Sequence, residues 1–145
     1  MRQLANKFLF DFHDQIRELP GATAARASLV STALEYLDSL AQESDGDPAL
    51  QWELATAYAR IGDVQGAPNQ ANLGQAKAAL ESYRKALRIE QTLIARAPND
   101  ENVRRTLATT YYKSGSLRLR LGEPLAARSE IQQGLALIET PGNSA

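Results

Sequence analysis

The chain has 145 residues, a net charge of −1, 43% hydrophobic residues and 23% charged residues, values that are ordinary for one soluble globular domain with a core. It contains no cysteine, which excludes disulfides, thiolate metal sites and a cysteine nucleophile. No apolar run is long enough to predict a membrane span. Charge is uneven: there are ten acidic and five basic side chains up to Gln65, and seven acidic and eleven basic side chains after it.

Helical periodicity runs through the sequence and no segment alternates as a strand would, so we predict an all-α fold of six helices. Pro20 and Gly21 end the first helix, and Asp47 is the expected N-cap of the third, with Pro48 at its first helical position. Asn99 or Asp100 is expected to cap the fifth helix. The predicted bounds are about 3–18, 23–42, 48–65, 75–97, 100–121 and 124–140.

Two segments of the sequence repeat. "LATAYARIGDVQ" from Leu54 aligns with "LATTYYKSGSLR" from Leu107 at an offset of 53. "GQAKAALESYRKALRIE" from Gly74 aligns with "GEPLAARSEIQQGLALI" from Gly122 at an offset of 48. The smaller second offset predicts an insertion, the loop 66–73, at the turn inside the first repeat.

The repeated pattern resembles the tetratricopeptide repeat. A small residue, Gly62 or Gly115, stands where two helices of a hairpin pack closely, and a turn glycine, Gly74 or Gly122, follows it. The resemblance implies a right-handed α-solenoid of three antiparallel helical hairpins within a single domain, 1–145. Its parts would be a divergent or capping hairpin (1–44), a repeat with the inserted loop (47–98) and a second repeat (100–140).

A second resemblance covers most of the chain. "FHD" (12–14), "LPG" (19–21), "ALEYLDSLA" (33–41) and "GDVQG…P…ANLG" (62–74) are similar to the region that follows the catalytic domain in bacterial eukaryote-like serine/threonine protein kinases. The resemblance implies a non-catalytic interaction or sensor module. Such a module is either cytoplasmic or the extracytoplasmic part of a membrane-anchored kinase. The glycine-rich loop and the His-Arg-Asp and Asp-Phe-Gly motifs of kinases are absent from the sequence, so we expect no enzymatic activity and no catalytic residue.

The tetratricopeptide resemblance also implies an inner, concave face that binds a protein or peptide. No acidic residue occurs between Asn102 and Gly122, a stretch that holds five basic residues, so an acidic partner is one expectation and nucleic acid is not expected. A self-association module, which would make the chain a homo-oligomer, and a small-molecule sensor are the alternatives. The predicted inner-face residues are Thr56, Ala59, Asp63, Thr109, Tyr112, Ser116, Leu119 and Arg120.

The inserted loop carries three amides, Asn69, Gln70 and Asn72, that are open to two interpretations. They either form a polar recognition rim or satisfy the backbone of a compact loop. His13 is the single histidine, and its neighbours Asp11 and Asp14 do not share one helix face with it well, so we expect a structural role and no metal site. No cofactor is expected.

Overall fold

Five helices make up the part of the chain that the computed structural model describes, residues 22–67, 72 and 74–139, and this part contains no strand. All five begin and end within one residue of the predicted bounds, which confirms the all-α class. The helix predicted over 3–18, with His13, lies outside the described residues, so the count of six stays a prediction. The helices are α1 (Ala22–Ala41), α2 (Pro48–Gly66), α3 (Ala76–Arg96), α4 (Glu101–Arg120) and α5 (Pro124–Glu139).

Two aspartates fix the starts of α2 and α4: Asp47 is the predicted cap, and Asp100 is one of the two candidates predicted for the later helix. The Asp47 carboxylate accepts a hydrogen bond from the backbone N–H of Leu50 at 3.1 Å, and a proline follows it at the first helical position. The Asp100 carboxylate accepts from the backbone N–H groups of Asn102 and Val103 at 2.9 and 3.2 Å. Each carboxylate satisfies donors that the first helical turn leaves unpaired, which stabilises that helix by about 1 kcal/mol.

The helices pack in chain order, most extensively within the pairs α2/α3 and α4/α5. Gly66 at the end of α2 lies against Ala76 at the start of α3, whereas Gly62, one turn earlier, lies against Tyr83. The two helices are therefore antiparallel. The turn into α5 is made by Gly122, whose φ of 81° favours glycine.

In each of the two large hairpins, α2/α3 and α4/α5, the helices pack closely at a glycine of the first helix. A Cβ added to Gly62 would lie 2.6 Å from the ring of Tyr83, and one added to Gly115 would lie 2.6 Å from the side chain of Ile131. These two contacts occupy matched positions, since the glycines are 53 residues apart and their partners 48. The internal repeat seen in the sequence is therefore repeated in the packing.

The core runs from helix to helix along this series. Leu54 and Ile61 of α2 are buried against Val30 of α1, in a cluster that also reaches α3. Farther along, Leu87 of α3 packs on Leu107 of α4. Each helix from α2 to α4 thus buries residues on two sides, which explains why these helices hold most of the buried residues among those described.

Replacing Ala79 with leucine tests the close approach of α2 and α3. Ala79 is fully buried, and a Cβ built on Gly66 would lie 3.1 Å from the Ala79 Cβ. We expect Ala79→Leu to lower the free energy of unfolding by about 1–3 kcal/mol, because the added carbons have no space. Urea denaturation measures the change. Ala95→Leu, at an exposed position of α3, is the control, with a change below about 0.5 kcal/mol. Equal midpoints for Ala79→Leu and the parent would contradict this packing.

Candidate functional site

The inner-face residues predicted on α2 are half-buried and engaged within the molecule. The Thr56 hydroxyl donates to the backbone carbonyl of Trp52 at 2.9 Å, and Ala59 packs against the core of α1 and α2. Asp63 joins three helices, because one carboxylate oxygen accepts from the hydroxyl of Tyr83 on α3 at 2.6 Å. Its other oxygen lies 3.0 Å from the Nζ of Lys113 on α4.

Burial raises the pKa of the Tyr83 hydroxyl, and the hydrogen bond and charge of Asp63 raise it further. The hydroxyl therefore stays protonated and donates to the carboxylate across the physiological pH range. Lys113 supplies the charge that neutralises Asp63. The result is a fixed connection between α2 and α4, the two helices on which the inner face was predicted.

The same arrangement occurs one helix earlier in the series. Asp38 of α1 accepts from the hydroxyl of Tyr58 on α2 at 2.6 Å and from the Nζ of Lys85 on α3 at 3.0 Å. The Lys85 Nζ also lies 5.4 Å from the centroid of the Tyr58 ring, within the range of a cation–π contact. Burial and the neighbouring Asp38 raise the pKa of Tyr58. We call these two groups the aspartate bridges.

The residues predicted on α4 are more accessible than those on α2. Tyr112 and Leu119 are 57% and 55% exposed, Thr109 and Arg120 are exposed, and Ser116 is half-buried. These five positions fall within about 100° of the helix circumference, so they form one stripe along α4. The structure therefore places the α4 half of the predicted face at the surface, with two large apolar side chains on it.

A groove of about 250 Å³ lies between α4 and α5 beside this stripe. We call it the α4/α5 groove, and its walls are almost entirely apolar. Thr109 and Tyr112 belong both to the groove and to the predicted face. The lining residues are Ala108, Thr109, Tyr112, Ile131, Gly134, Leu135 and Ile138.

The contribution of α5 to this groove was not predicted from the sequence as a site. Ile131, Leu135 and Ile138 follow a spacing that also fits an ordinary buried helix face. A signal was present in the alignment, where Leu135 and Ile138 correspond to Leu87 and Glu90 of the first repeat. Only the structure shows that Leu87 and Glu90 are buried whereas Leu135 and Ile138 are exposed.

Of the loop amides, Asn72 lies within the described residues, whereas Asn69 and Gln70 lie outside them. The Asn72 side chain donates to the backbone carbonyl of Ala67 at 2.8 Å and accepts from the backbone N–H of Gly74 at 2.6 Å. Gly66, predicted as the first loop residue, is the buried last residue of α2. At Asn72, therefore, the amide bonds to the backbone of the loop itself, and a recognition role for the loop stays a prediction.

One acidic side chain is fully buried in the core between α3 and α4. One oxygen of Glu90 accepts from the Thr110 hydroxyl at 3.2 Å, and the other has no hydrogen-bond partner among the described residues. Burial raises the pKa of Glu90 to about 8, although the Thr110 hydrogen bond and the charge of Lys113 act to lower it. Glu90 is therefore mostly protonated near neutral pH, which avoids a buried charge.

No group of three or more histidine, aspartate or glutamate side chains in residues 22–67, 72 and 74–139 is placed to hold a metal ion. None of the described helices combines the length and the apolar character that crossing a membrane requires. The exposed stripe on α4 and the α4/α5 groove are the candidate contact surface of the described chain.

Comparison with known proteins finds no match, whether with family models, with curated proteins or with solved structures. The likeness to tetratricopeptide repeats and to the kinase-associated region therefore stays a prediction from the sequence.

The Asp63 bridge can be tested by removing its partners in turn. We expect Asp63→Ala to lower the free energy of unfolding by about 1–3 kcal/mol, because the buried Tyr83 hydroxyl loses its acceptor. Adding Tyr83→Phe should recover part of this loss, since both partners are then absent. Chemical denaturation measures both, with Asp45→Ala at an exposed position as the control. An Asp63→Ala variant as stable as the parent would show that the bridge contributes nothing.

Glu90 predicts a pH dependence of stability. Its pKa is about 8 in the folded chain and near the ordinary value of 4.5 when unfolded, so the folded state binds the additional proton between these values. Stability from this group is fully present below about pH 4.5 and is lost as the pH rises through about 8. We expect Glu90→Gln, a neutral mimic, to match the parent at about pH 4 and to exceed its stability at pH 8.5 by roughly 2–4 kcal/mol.

Glu81→Gln, at an exposed position of α3, is the matched control for Glu90→Gln. Denaturation midpoints of the three proteins at several pH values give the comparison. Parallel pH profiles for the parent and Glu90→Gln would contradict a raised pKa at Glu90.

Proposed function

We propose that this chain is a non-catalytic protein-interaction module that binds a protein or peptide partner on the inner face of a short tetratricopeptide-like solenoid. The face is the one predicted on α2 and α4. Its place in a bacterial serine/threonine kinase-type signalling protein is the part of the proposal that rests on sequence resemblance alone. The all-α series of hairpins with a repeated glycine contact is compatible with such a solenoid.

The observation that carries the proposal is the exposed stripe on α4. Tyr112 and Leu119 are more than half exposed, and Tyr112 also lines a groove with apolar walls. Large apolar side chains at the surface beside an apolar groove often belong to sites of contact with a partner. Exposed tyrosine is also enriched at protein interfaces, because its ring supplies contact area at a small entropic cost.

The aspartate bridges support the proposal through rigidity. Asp63 and Lys113 join α2 to α4 beside the stripe, and Tyr83 holds the same carboxylate from α3. A surface that is already ordered loses less conformational entropy when a partner binds. The inner face is therefore suited to binding without prior rearrangement.

Self-association is the second candidate, because the same apolar stripe could meet another copy of the chain. The two functions differ in a simple measurement. A partner-binding module is monomeric in sedimentation equilibrium at micromolar concentration, whereas a dimerisation module shows twice the mass. Loss of that doubled mass in Tyr112→Asp would place the self-contact on the stripe and favour the second candidate.

Selection from a displayed peptide library tests partner binding. We expect peptides enriched on the parent protein to lose binding to Tyr112→Asp, because the substitution places a charge in the apolar stripe. Leu125→Asp is the matched control, since Leu125 is 82% exposed and lies outside the groove, and it should bind the same peptides as the parent. Enriched peptides that bind Tyr112→Asp as well as the parent, or no enrichment at all, would contradict the proposed inner face.

A further inference from the structure

The helix that covers the groove of the first large hairpin, α2/α3, indicates what kind of element fits the α4/α5 groove. In α2/α3 the side of α3 that faces onward along the chain carries Tyr83, Leu87 and Glu90, and all three are buried. Tyr83 is buried between Gly62 of α2 and Leu117 of α4, and α4 covers Leu87 and Glu90. Leu87 contacts Leu107 there, and Thr110 donates to Glu90.

The residues of α4 that fill this first groove follow helical spacing. Leu107 and Tyr111 pack on Leu87, and Leu117 packs on Tyr83. Thr110 and Tyr111 follow Leu107 by three and four residues, and Leu117 follows Tyr111 by six, so these four residues lie on one face of α4. The first groove is therefore occupied by an amphipathic helix with a continuous buried face.

The α4/α5 groove presents the matching positions without an occupant among the described residues. At the offset of 48, Tyr83, Leu87 and Glu90 correspond to Ile131, Leu135 and Ile138. Leu135 is 50% exposed and Ile138 66%, whereas Leu87 is 5% exposed and Glu90 is fully buried. The replacement of Glu90 by Ile138 also removes the one acidic group, so this groove suits a more apolar helix face than that of α4.

Charge distinguishes the kinds of helix that fit. Arg105 and Arg120 lie on the same stripe of α4 as Tyr112, one towards each end, and both are exposed. Neither forms an ion pair with any side chain in the described part of the chain. They are separated by about 22 Å along the helix axis, which is close to four helical turns. An occupant with acidic residues at both ends would place them near these two guanidinium groups.

We propose that the α4/α5 groove is the docking site for an amphipathic helix of a partner protein, with an apolar stripe along its centre and acidic residues at both ends. This inference rests on the proposed function and specifies its partner. The apolar stripe packs on Ile131, Leu135 and Ile138 as α4 packs on α3. The acidic ends pair with Arg105 and Arg120.

A second copy of the chain fits this surface less well than an acidic helix does. In a two-fold contact through the stripe, the axis would pass near Tyr112, midway between the two arginines. Arg105 of one copy would then face Arg120 of the other, and like charges opposite one another in an interface oppose association. The positive ends of the groove therefore favour a partner of different sequence.

Three synthetic peptides provide the probes. The first copies residues 101–120 with Thr110→Leu and Lys113→Gln, and with glutamate in place of Arg104, Arg105, Arg118 and Arg120. The second keeps those four arginines. The third has the composition of the first in an order that breaks the apolar stripe. Fluorescence anisotropy with labelled peptides gives the dissociation constants, and circular dichroism of each protein variant checks its fold.

We expect the acidic-ended peptide to bind the parent protein at least about tenfold more tightly than the basic-ended peptide, and the scrambled peptide not to bind. Leu135→Asp with Ile138→Asp should abolish binding, whereas Leu125→Asp should not change it. Both replaced residues are at least half exposed, so the variant is expected to fold. In Arg105→Glu with Arg120→Glu the preference should reverse towards the basic-ended peptide, a result that a general loss of structure cannot produce.

The outcomes separate this inference from the proposed function. Absence of binding by the acidic-ended peptide, or binding that survives the α5 substitutions, would overturn the docking site. If peptides from the library nevertheless bind in a manner that requires Tyr112, the proposed inner face stands while the helical partner fails. A doubled mass of the parent that the α5 substitutions return to the monomer value would overturn the proposal in favour of a second copy as occupant.

Discussion

The contact between Tyr83 and Gly62 is the constraint on which the rest of the described structure depends. Without a Cβ at Gly62, the Tyr83 ring lies directly against the backbone of α2. In that position its hydroxyl reaches the next residue, Asp63, which in turn holds Lys113 on α4. The absence of a Cβ at Gly62 thus sets the distance between α2 and α3. The Asp63 carboxylate then fixes α4 to both helices.

The polar groups that accompany this packing change in character along the chain. Between α3 and α4 the core contains Glu90, whose burial is tolerated because the group is mostly protonated and one of its oxygens accepts from Thr110. At the matching position of α5 stands Ile138, which is exposed. A polar residue is thus found where the helix face is covered, and an apolar residue where the described chain leaves it open. This reversal of the usual relation between polarity and burial supports the proposal that the α4/α5 groove is a contact surface.

Helix positions and caps could be predicted from the sequence because they depend on local signals. Asp47, Pro48 and Asp100 act on the first helical turn that follows them, and the glycines at 62 and 115 appear at fixed places in a repeat. The aspartate bridges could not be predicted, since each joins residues 20 or more apart on different helices. Asp63 was accordingly assigned to the inner face on position alone, whereas its carboxylate is held by two internal partners. The groove was missed for a related reason: periodicity identifies an apolar helix face but not whether another helix covers it.

The aspartate bridges also account for which basic residues in the second half of the chain have an acidic partner within the fold. Asp38 and Asp63 each accept from a tyrosine 20 residues later and neutralise a lysine on the helix after that. At the third step of this series Gln91 takes the place of aspartate and donates to the Tyr111 hydroxyl at 2.7 Å. A neutral amide needs no counter-ion, and α5 accordingly carries no lysine.

Arg118 is neutralised separately, by Glu123 and Glu130. Lys85, Lys113 and Arg118 are thus compensated within the fold, whereas Arg105 and Arg120 are not paired with any described residue. The excess of basic residues after Gln65 therefore includes two arginines on the same stripe as Tyr112 and Leu119. An uncompensated charge gains most from an opposite charge that reaches it in a partly desolvated contact, and the proposed acidic helix would supply that charge to this stripe.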